Sequence, residues 1–168
     1  MDRPMMIPNR IKQYFLLTDQ RQNGENILVS GRLQCCEQPA FSFSAVGTVQ
    51  RGLLHRMSLY PSAEGLALRA ACARCGRDIL VFDAGSDGYG NSFSKAGETP
   101  FSTAESIQCI KCGGGSFSVD LRFEYPDERE LSDLGCTDPG NAFTWMWVSL
   151  TCASCGKKYM DFVSQETA

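Results

Sequence analysis

The stretch 107-IQCIKCGGGSFSVDLRFEY-125 decides the fold class, because it joins a cysteine pair to a strict alternation of apolar and polar residues. The apolar members of the alternation are Phe117, Val119, Leu121, Phe123 and Tyr125. Apolar residues at every second position share one face of a β-strand. The stretch therefore predicts a half-buried strand that begins just after a cysteine turn.

A second strand is predicted in the first half of the chain, and the chain as a whole is expected to be mostly β. Apolar residues again alternate with hydroxyl residues between positions 41 and 49. The apolar members are Phe41, Phe43, Ala45 and Val49. A loop is expected around residues 50–65, before the next strand.

The N-terminal segment has a helical period. Within residues 5–21, the side chains that would share one face of a short helix are Ile7, Ile11, Tyr14 and Phe15. A strand is the alternative for this segment.

The cysteine content points to thiol chemistry in a reducing compartment. The chain has nine cysteines in 168 residues, an odd number, and its first residues contain no pattern typical of a secretion signal. Both observations argue against a disulfide framework and favour the cytoplasm. No apolar run approaches the roughly 18 residues of a membrane helix, so no membrane partner is expected.

Three short segments have the pattern C-x-x-C-G: CARCG at 72–76, CIKCG at 109–113 and CASCG at 152–156. We call each of them a cysteine turn. Two thiolates on such a turn can both face one ion at about 2.3 Å, and the glycine permits the positive φ that the turn needs. A thioredoxin-like redox pair would open a helix, whereas strand-like residues follow each of these turns.

The spacing and the trailing glycine resemble the cysteine turns of zinc ribbons and rubredoxins. The resemblance covers the turns and their flanking strands. It implies structural zinc held by four cysteines, with rubredoxin-like iron and electron transfer as the alternative.

A fourth half-site departs from the pattern, because Cys35 and Cys36 are adjacent and Glu37 stands where a glycine would be. Adjacent side chains on a strand point to opposite faces, so both can reach one ion only in a bent turn. Three outcomes are open: a strained four-cysteine site, a three-cysteine site with an open position, or no metal. An open position would permit an enzyme or a redox switch.

The two halves of the chain follow the same order of cysteine pair, alternating strand, loop, strand, cysteine turn and strand, which suggests an internal duplication. The expected divisions are an N-terminal segment, a first zinc-ribbon-like half, a linker and a second zinc-ribbon-like half, at 1–30, 31–84, 85–104 and 105–168. The repeat predicts that Cys35 and Cys36 meet the turn at 72–76, and that the turns at 109–113 and 152–156 meet. A sequential alternative joins 72–76 to 109–113 and leaves Cys35 and Cys36 to meet 152–156.

Other features carry weaker predictions. Residues 82–92 partly match a calcium loop but lack its glutamate, so a glycine-rich turn is favoured. Phe143, Trp145 and Trp147 would form a binding platform if exposed, although a strand buried on both faces is the preferred interpretation. His55, the single histidine, is expected in a surface loop, and Cys136 is expected to be a bystander.

The expected function is that of a non-enzymatic zinc-binding module that contacts a protein or small ligand. The predicted metal ligands are Cys35, Cys36, Cys72, Cys75, Cys109, Cys112, Cys152 and Cys155. A net charge of −3 gives no general attraction to nucleic acid, which is not expected as a partner.

Overall fold

A computed structural model describes residues 6–37, 40–84, 99–127, 129–130 and 139–166. This part of the chain is mostly β, as predicted, with short 3-10 helices at Asn9–Tyr14, Leu53–His55 and Pro139–Asn141. The strands are β1 (Phe15–Asn23), β2 (Asn26–Leu33), β3 (Phe41–Val46), β4 (Thr48–Arg51), β5 (Met57–Tyr60), β6 (Ala67–Cys72), β7 (Asp78–Asp83), β8 (Glu105–Ser106), β9 (Phe117–Tyr125), β10 (Trp145–Cys152) and β11 (Lys158–Glu166). No helix in these ranges is long and apolar enough to cross a membrane.

Strand β9 is the centre of the main sheet. The sheet is antiparallel and runs in the order β1-β2-β9-β3-β6-β7, with β10 and β11 branching from β9, and β8 from β3. The alternating apolar residues of β9 are at most 1% exposed, which confirms the strand predicted there. Strands from the two halves meet where Phe41 of β3 pairs with Phe117 of β9.

The N-terminal helix is much shorter than residues 5–21, because the 3-10 helix stops at Tyr14 and β1 begins at Phe15. Pairing with β2 through a tight turn at Gly24, whose φ is 65°, satisfies the backbone groups of this segment. The buried side chains Ile7 and Ile11 still lie on the core side, as the helical period predicts.

The loop predicted around residues 50–65 is instead a small hairpin of β4 and β5. Gly47, with a φ of 141°, redirects the chain out of β3, and β4 then pairs with β5 in a separate two-stranded sheet. Met57 and Leu59 of β5 are buried and attach the hairpin to the core. Its tip, residues 52–56, has no buried residue.

Candidate metal centres

Each of the three cysteine turns is closed by the same two backbone hydrogen bonds. The N–H of the first cysteine donates to the carbonyl oxygen five residues later, at 2.8–2.9 Å. The N–H of the glycine donates to the carbonyl oxygen of the first cysteine, at 2.7–2.9 Å. In every turn the first cysteine is buried and the second is exposed.

The glycine of each turn is required by the backbone and not by lack of space. Gly76, Gly113 and Gly156 have φ values of 74°, 79° and 76°. A Cβ built at any of the three meets no atom within 4 Å. The left-handed conformation alone therefore explains why glycine follows the second cysteine.

The structure brings the eight predicted cysteines together in two groups of four. The first centre consists of Cys35, Cys36, Cys72 and Cys75, and the second centre consists of Cys109, Cys112, Cys152 and Cys155. Within each centre the four sulfur atoms all lie within 4.8 Å of one another. This is the pairing that the repeat predicts, and the sequential alternative is wrong.

The sulfur separations fit tetrahedral coordination. In the first centre, the sulfur of Cys35 lies 3.8 Å from that of Cys36 and 3.7 Å from that of Cys75. Two sulfur pairs of the second centre are 3.6 and 3.5 Å apart. Four sulfurs held tetrahedrally at about 2.3 Å from an ion are about 3.8 Å apart. Both centres can therefore hold a metal ion with little rearrangement.

The second centre has a tyrosine that contacts its sulfur directly. The hydroxyl of Tyr159 lies 3.0 Å from the sulfur of Cys109 and accepts a hydrogen bond from the N–H of Ile110, also at 3.0 Å. A thiolate can only accept, so the tyrosine O–H donates to the sulfur when Cys109 is ionised. The N–H of Gly114 approaches the sulfur of Cys112 at 3.4 Å.

These hydrogen bonds favour the charged form of Cys109. Burial acts to raise its pKa, but the hydrogen bonds from Tyr159 and from the backbone N–H groups of Cys112 and Lys111 outweigh burial and lower the pKa to about 6. Burial and the contact with Cys109 together raise the pKa of Tyr159 to about 12, so it stays a proton donor at neutral pH.

In the first centre, a left-handed backbone allows two adjacent cysteines to face the same site. Cys36 and Glu37 have φ values of 52° and 56°, a region that is uncommon for residues other than glycine. This bend lets the side chain of Cys36 turn back beside that of Cys35, so that all four sulfurs converge. Of the three outcomes left open by the sequence, the geometry is that of the strained four-cysteine site.

The first centre has no counterpart of Tyr159. The residue four positions after Cys75 is the aliphatic Ile79, and the rim of the centre carries Arg77, which donates to the hydroxyl of Tyr14 at 3.1 Å. Burial and the contact with Cys75 raise the pKa of Cys35 to about 12, whereas the backbone N–H of Arg77 is the main cause that lowers the pKa of Cys75 to about 7.

The two halves repeat the surroundings of the cysteines as well as the cysteines themselves. Cys72 pairs with Phe41 across strands β6 and β3, and Cys152 pairs with Phe117 across β10 and β9. The residue after each of these cysteines donates a backbone hydrogen bond to the residue before the phenylalanine, at 3.1 and 2.9 Å. The internal repeat is therefore present at the level of strand pairing.

The aromatic row at positions 143, 145 and 147 is only partly buried, and its two tryptophans lie in β10. Phe143 is in the core, while Trp145 and Trp147 are half-buried and stack with ring centroids 5.7 Å apart. The guanidinium of Arg122 lies 5.0 Å from the centre of the Trp147 ring. The expectation of a strand buried on both faces is wrong, because solvent reaches the face that carries the two tryptophans.

The remaining predictions are settled only in part. His55 lies exposed in the hairpin tip, as expected for a surface loop. Asp83 is buried and accepts hydrogen bonds from the N–H and the hydroxyl of Thr99. Most of the partial calcium loop at 82–92, and also Cys136, lie outside the described residues.

Tyr159 is the site residue that the sequence analysis missed. A comparison of the residues that follow CARCG and CASCG could have found it, because a hydroxyl replaces an aliphatic side chain at the same position of the repeat. Comparison of the chain with protein-family models, with curated proteins and with solved structures finds no match. What the protein does must therefore be inferred from its own residues.

Proposed function

We propose that this protein is a zinc-binding module in which two structural four-cysteine sites hold a β scaffold together. The observation that carries the proposal is that the four sulfurs of each centre lie within 4.8 Å of one another, with two separations in each centre at 3.5–3.8 Å, close to the edge of a zinc–thiolate tetrahedron. Soft thiolates in this arrangement suit zinc, and they also suit a single iron as in rubredoxins. The residues that would hold the metal are those of the first and second centres.

The proposed role is non-enzymatic. A metal with four protein thiolates has no open position for substrate or water, so it stabilises the fold and does not act as a Lewis acid. The convergence of Cys36 with the other three sulfurs of its centre supports this role over an open three-cysteine site. We place the protein in the cytoplasm, where thiolate ligands stay reduced.

We further propose that the scaffold binds a partner protein through the half-buried pair Trp145 and Trp147. Tryptophan and arginine are enriched among the residues that dominate interface energies, and Arg122 lies over the Trp147 ring. Polar groups surround the pair, including Ser164, which accepts a hydrogen bond from the indole N–H of Trp145, and Asp161, which pairs with Arg122. An apolar centre with a polar rim is the usual anatomy of such an interface.

Elemental analysis of the purified protein tests the metal assignment. We expect two zinc ions per chain and no colour. A chelator that removes the zinc is expected to unfold the chain, because the free energy of metal binding is part of the free energy of folding. A red protein whose bound iron can be reduced would favour the rubredoxin-like assignment over zinc. A fully folded metal-free protein at neutral pH would contradict both assignments.

A further inference from the structure

The tip of the β4–β5 hairpin exposes two adjacent leucines almost completely. Leu53 is 89% exposed and Leu54 is 80% exposed. No other large apolar side chain in the described part of the chain is as exposed, since Met160 reaches 65% and Leu16 52%. Neither leucine is buried in the core, and two adjacent, almost fully exposed leucines form a small apolar patch of the kind that can contact another molecule.

The backbone of the tip also runs against the usual residue preferences. The N–H of Arg56 donates to the carbonyl oxygen of Leu53 at 3.3 Å, and the two residues between them, Leu54 and His55, have φ values of 60° and 57°. Hairpin turns with two consecutive positive φ values favour asparagine and glycine. Leucine at such a position disagrees with the local structure, and disagreements of this kind concentrate at functional sites.

The leucines are part of a larger surface that combines apolar and basic groups. Leu54 and Met160 lie on opposite sides of a cleft of about 540 Å³ between the hairpin tip and β11. The basic side chains along the cleft are His55, Arg56, Lys157 and Lys158. The ammonium group of Lys157 contacts the carbonyl oxygen of Leu54 at 3.5 Å.

The charges around the tip leave a local excess of positive charge. The acidic residue of the cleft, Asp161, pairs with Arg122, and Arg51 at the base of the hairpin pairs with Glu105. Among the described residues, no carboxylate lies within ion-pair distance of Arg56 or Lys158. The surface therefore presents apolar side chains together with unneutralised basic ones.

We propose that the hairpin tip is a peripheral membrane contact, in which Leu53 and Leu54 enter the interfacial zone of a lipid bilayer and the basic side chains face anionic headgroups. Apolar side chains beside lysine and arginine are the combination that binds such surfaces. Such a contact does not need the roughly 18 apolar residues of a spanning helix, because the two leucines only enter the interface. This inference goes beyond the proposed zinc-binding function and does not depend on it.

The exposure of the tip favours a bilayer over a protein partner. The leucines stand in a run of five exposed residues, 52–56, and two side chains offer far less area than the roughly 800 Å² per partner of a stable protein interface. A protein would need a matching pocket for them. A bilayer needs none, because lipid chains rearrange around an inserted side chain.

Apolar insertion, more than charge, must carry the binding. The chain has a net charge of −3, and a zinc-loaded second centre would add about −2 close to Lys157 and Lys158. Salt screens exposed charges but leaves apolar transfer largely unaffected. We therefore expect added salt to weaken binding to anionic vesicles without abolishing it.

Sedimentation with lipid vesicles tests the proposal. The probes are vesicles of phosphatidylcholine alone and vesicles that also contain phosphatidylserine, and the wild-type protein is expected to bind both, the second more tightly. The double variant Leu53→Ser/Leu54→Ser is expected to lose at least about tenfold in affinity for both, since two apolar transfers are removed. The matched control Leu16→Ser/Leu17→Ser changes two exposed leucines of strand β1 and is expected to bind like the wild type.

A charge variant separates the contribution of electrostatic attraction from that of apolar insertion. Arg56→Glu is expected to weaken binding to the anionic vesicles by about fivefold or more and to leave binding to phosphatidylcholine unchanged. Metal content and circular dichroism, measured for every variant, show whether each one is folded. A failure of the zinc assignment would appear in the metal content, separately from the sedimentation result.

Three results would overturn the proposal. The first is a wild-type protein that sediments with neither kind of vesicle. The second is an equal loss of binding in the tip variant and in the β1 control. The third is binding to soluble polyglutamate but not to vesicles, which would assign the surface to an acidic polypeptide.

Discussion

The two candidate metal centres contain the same four sulfurs but differ in how the backbone presents them. In the second centre both pairs of cysteines lie on C-x-x-C-G turns, with glycine in the left-handed position. In the first centre one such turn is replaced by Cys35, Cys36 and Glu37, where non-glycine residues adopt the left-handed conformation. The comparison teaches that backbone conformation, more than cysteine spacing, decides whether four sulfurs can converge.

The centres also differ in their place in the sheet. The second centre lies where β10 pairs with the start of β9, and β9 itself pairs with β2, β3 and β10. The first centre lies at the end of β6, beyond which only β7 remains on that side of the sheet. Loss of the second centre should therefore disrupt more of the fold.

The largest predicted effect is the replacement of one buried cysteine in each centre. A structural zinc site contributes about 10 kcal/mol or more of apparent binding free energy, which is comparable to the whole stability of a domain. Cys152→Ser is expected to prevent folding, because it removes a ligand at the centre of the sheet. Cys72→Ser, its equivalent in the repeat, is expected to bind one zinc ion and to lose structure around β6 and β7, while the rest of the sheet stays folded.

Metal-to-protein ratios and far-ultraviolet circular dichroism distinguish these outcomes. If both variants lost the same amount of structure, the sheet would depend on the two centres equally and the comparison would fail. If Cys152→Ser retained two zinc ions, the second centre would not use Cys152 as a ligand.

The sequence predicted those parts of the structure that depend on local pattern. The alternation in β9, the three cysteine turns and the pairing of the two centres all follow from residue spacing within a repeat. The length of the N-terminal helix could not be predicted, because strand pairing of residues 15–23 with β2 competes with a helical period. The convergence of Cys36 depends on a backbone conformation that no local preference favours.

The contact that Tyr159 makes was also beyond the reach of spacing rules, although a comparison of the two repeats marks its position. Its role depends on the hydroxyl reaching back from β11 to a cysteine that lies 50 residues earlier in the chain. That the hydroxyl contacts a sulfur depends on the meeting of two turns, which no single segment encodes.

The second prediction removes the hydroxyl that distinguishes the centres. Tyr159→Phe keeps the ring but deprives the sulfur of Cys109 of a donor and the N–H of Ile110 of its acceptor. Loss of such an outer hydrogen bond typically weakens metal binding by about 10–100-fold. The second centre should then resemble the first in having no tyrosine hydroxyl at a sulfur. Competition with a chromogenic chelator should show weaker metal binding at one of the two sites.

The same variant should shift the pH of metal release. A cysteine whose folded-state pKa is lowered, as that of Cys109 is to about 6, favours the folded state above the unfolded pKa, and this contribution is lost as the pH falls through the folded value. Without the Tyr159 hydroxyl the pKa rises, so the second centre should release metal at a higher pH. As a control, Tyr14→Phe removes a hydroxyl that contacts Arg77 and no sulfur, and it should leave the second centre unchanged. An unchanged release profile in Tyr159→Phe would show that the hydroxyl does not tune the site.

The smallest predicted effect exchanges the backbone preferences of the two turns. Glu37→Gly should stabilise the first centre by about 0.5–1 kcal/mol. Glycine adopts a φ of 56° without steric cost, and the larger chain entropy that glycine loses on folding offsets only part of this gain. Gly113→Ala should destabilise the second centre by about 0.5–1 kcal/mol, because its φ of 79° strains alanine while the smaller chain entropy of alanine offsets part of that cost. The added Cβ would meet no atom within 4 Å, so no clash contributes. Denaturant midpoints of the metal-loaded proteins measure both changes. A loss of stability in Glu37→Gly would mean that the Glu37 side chain itself supports the first centre, and the difference between the centres would then lie in side-chain contacts and not in backbone strain.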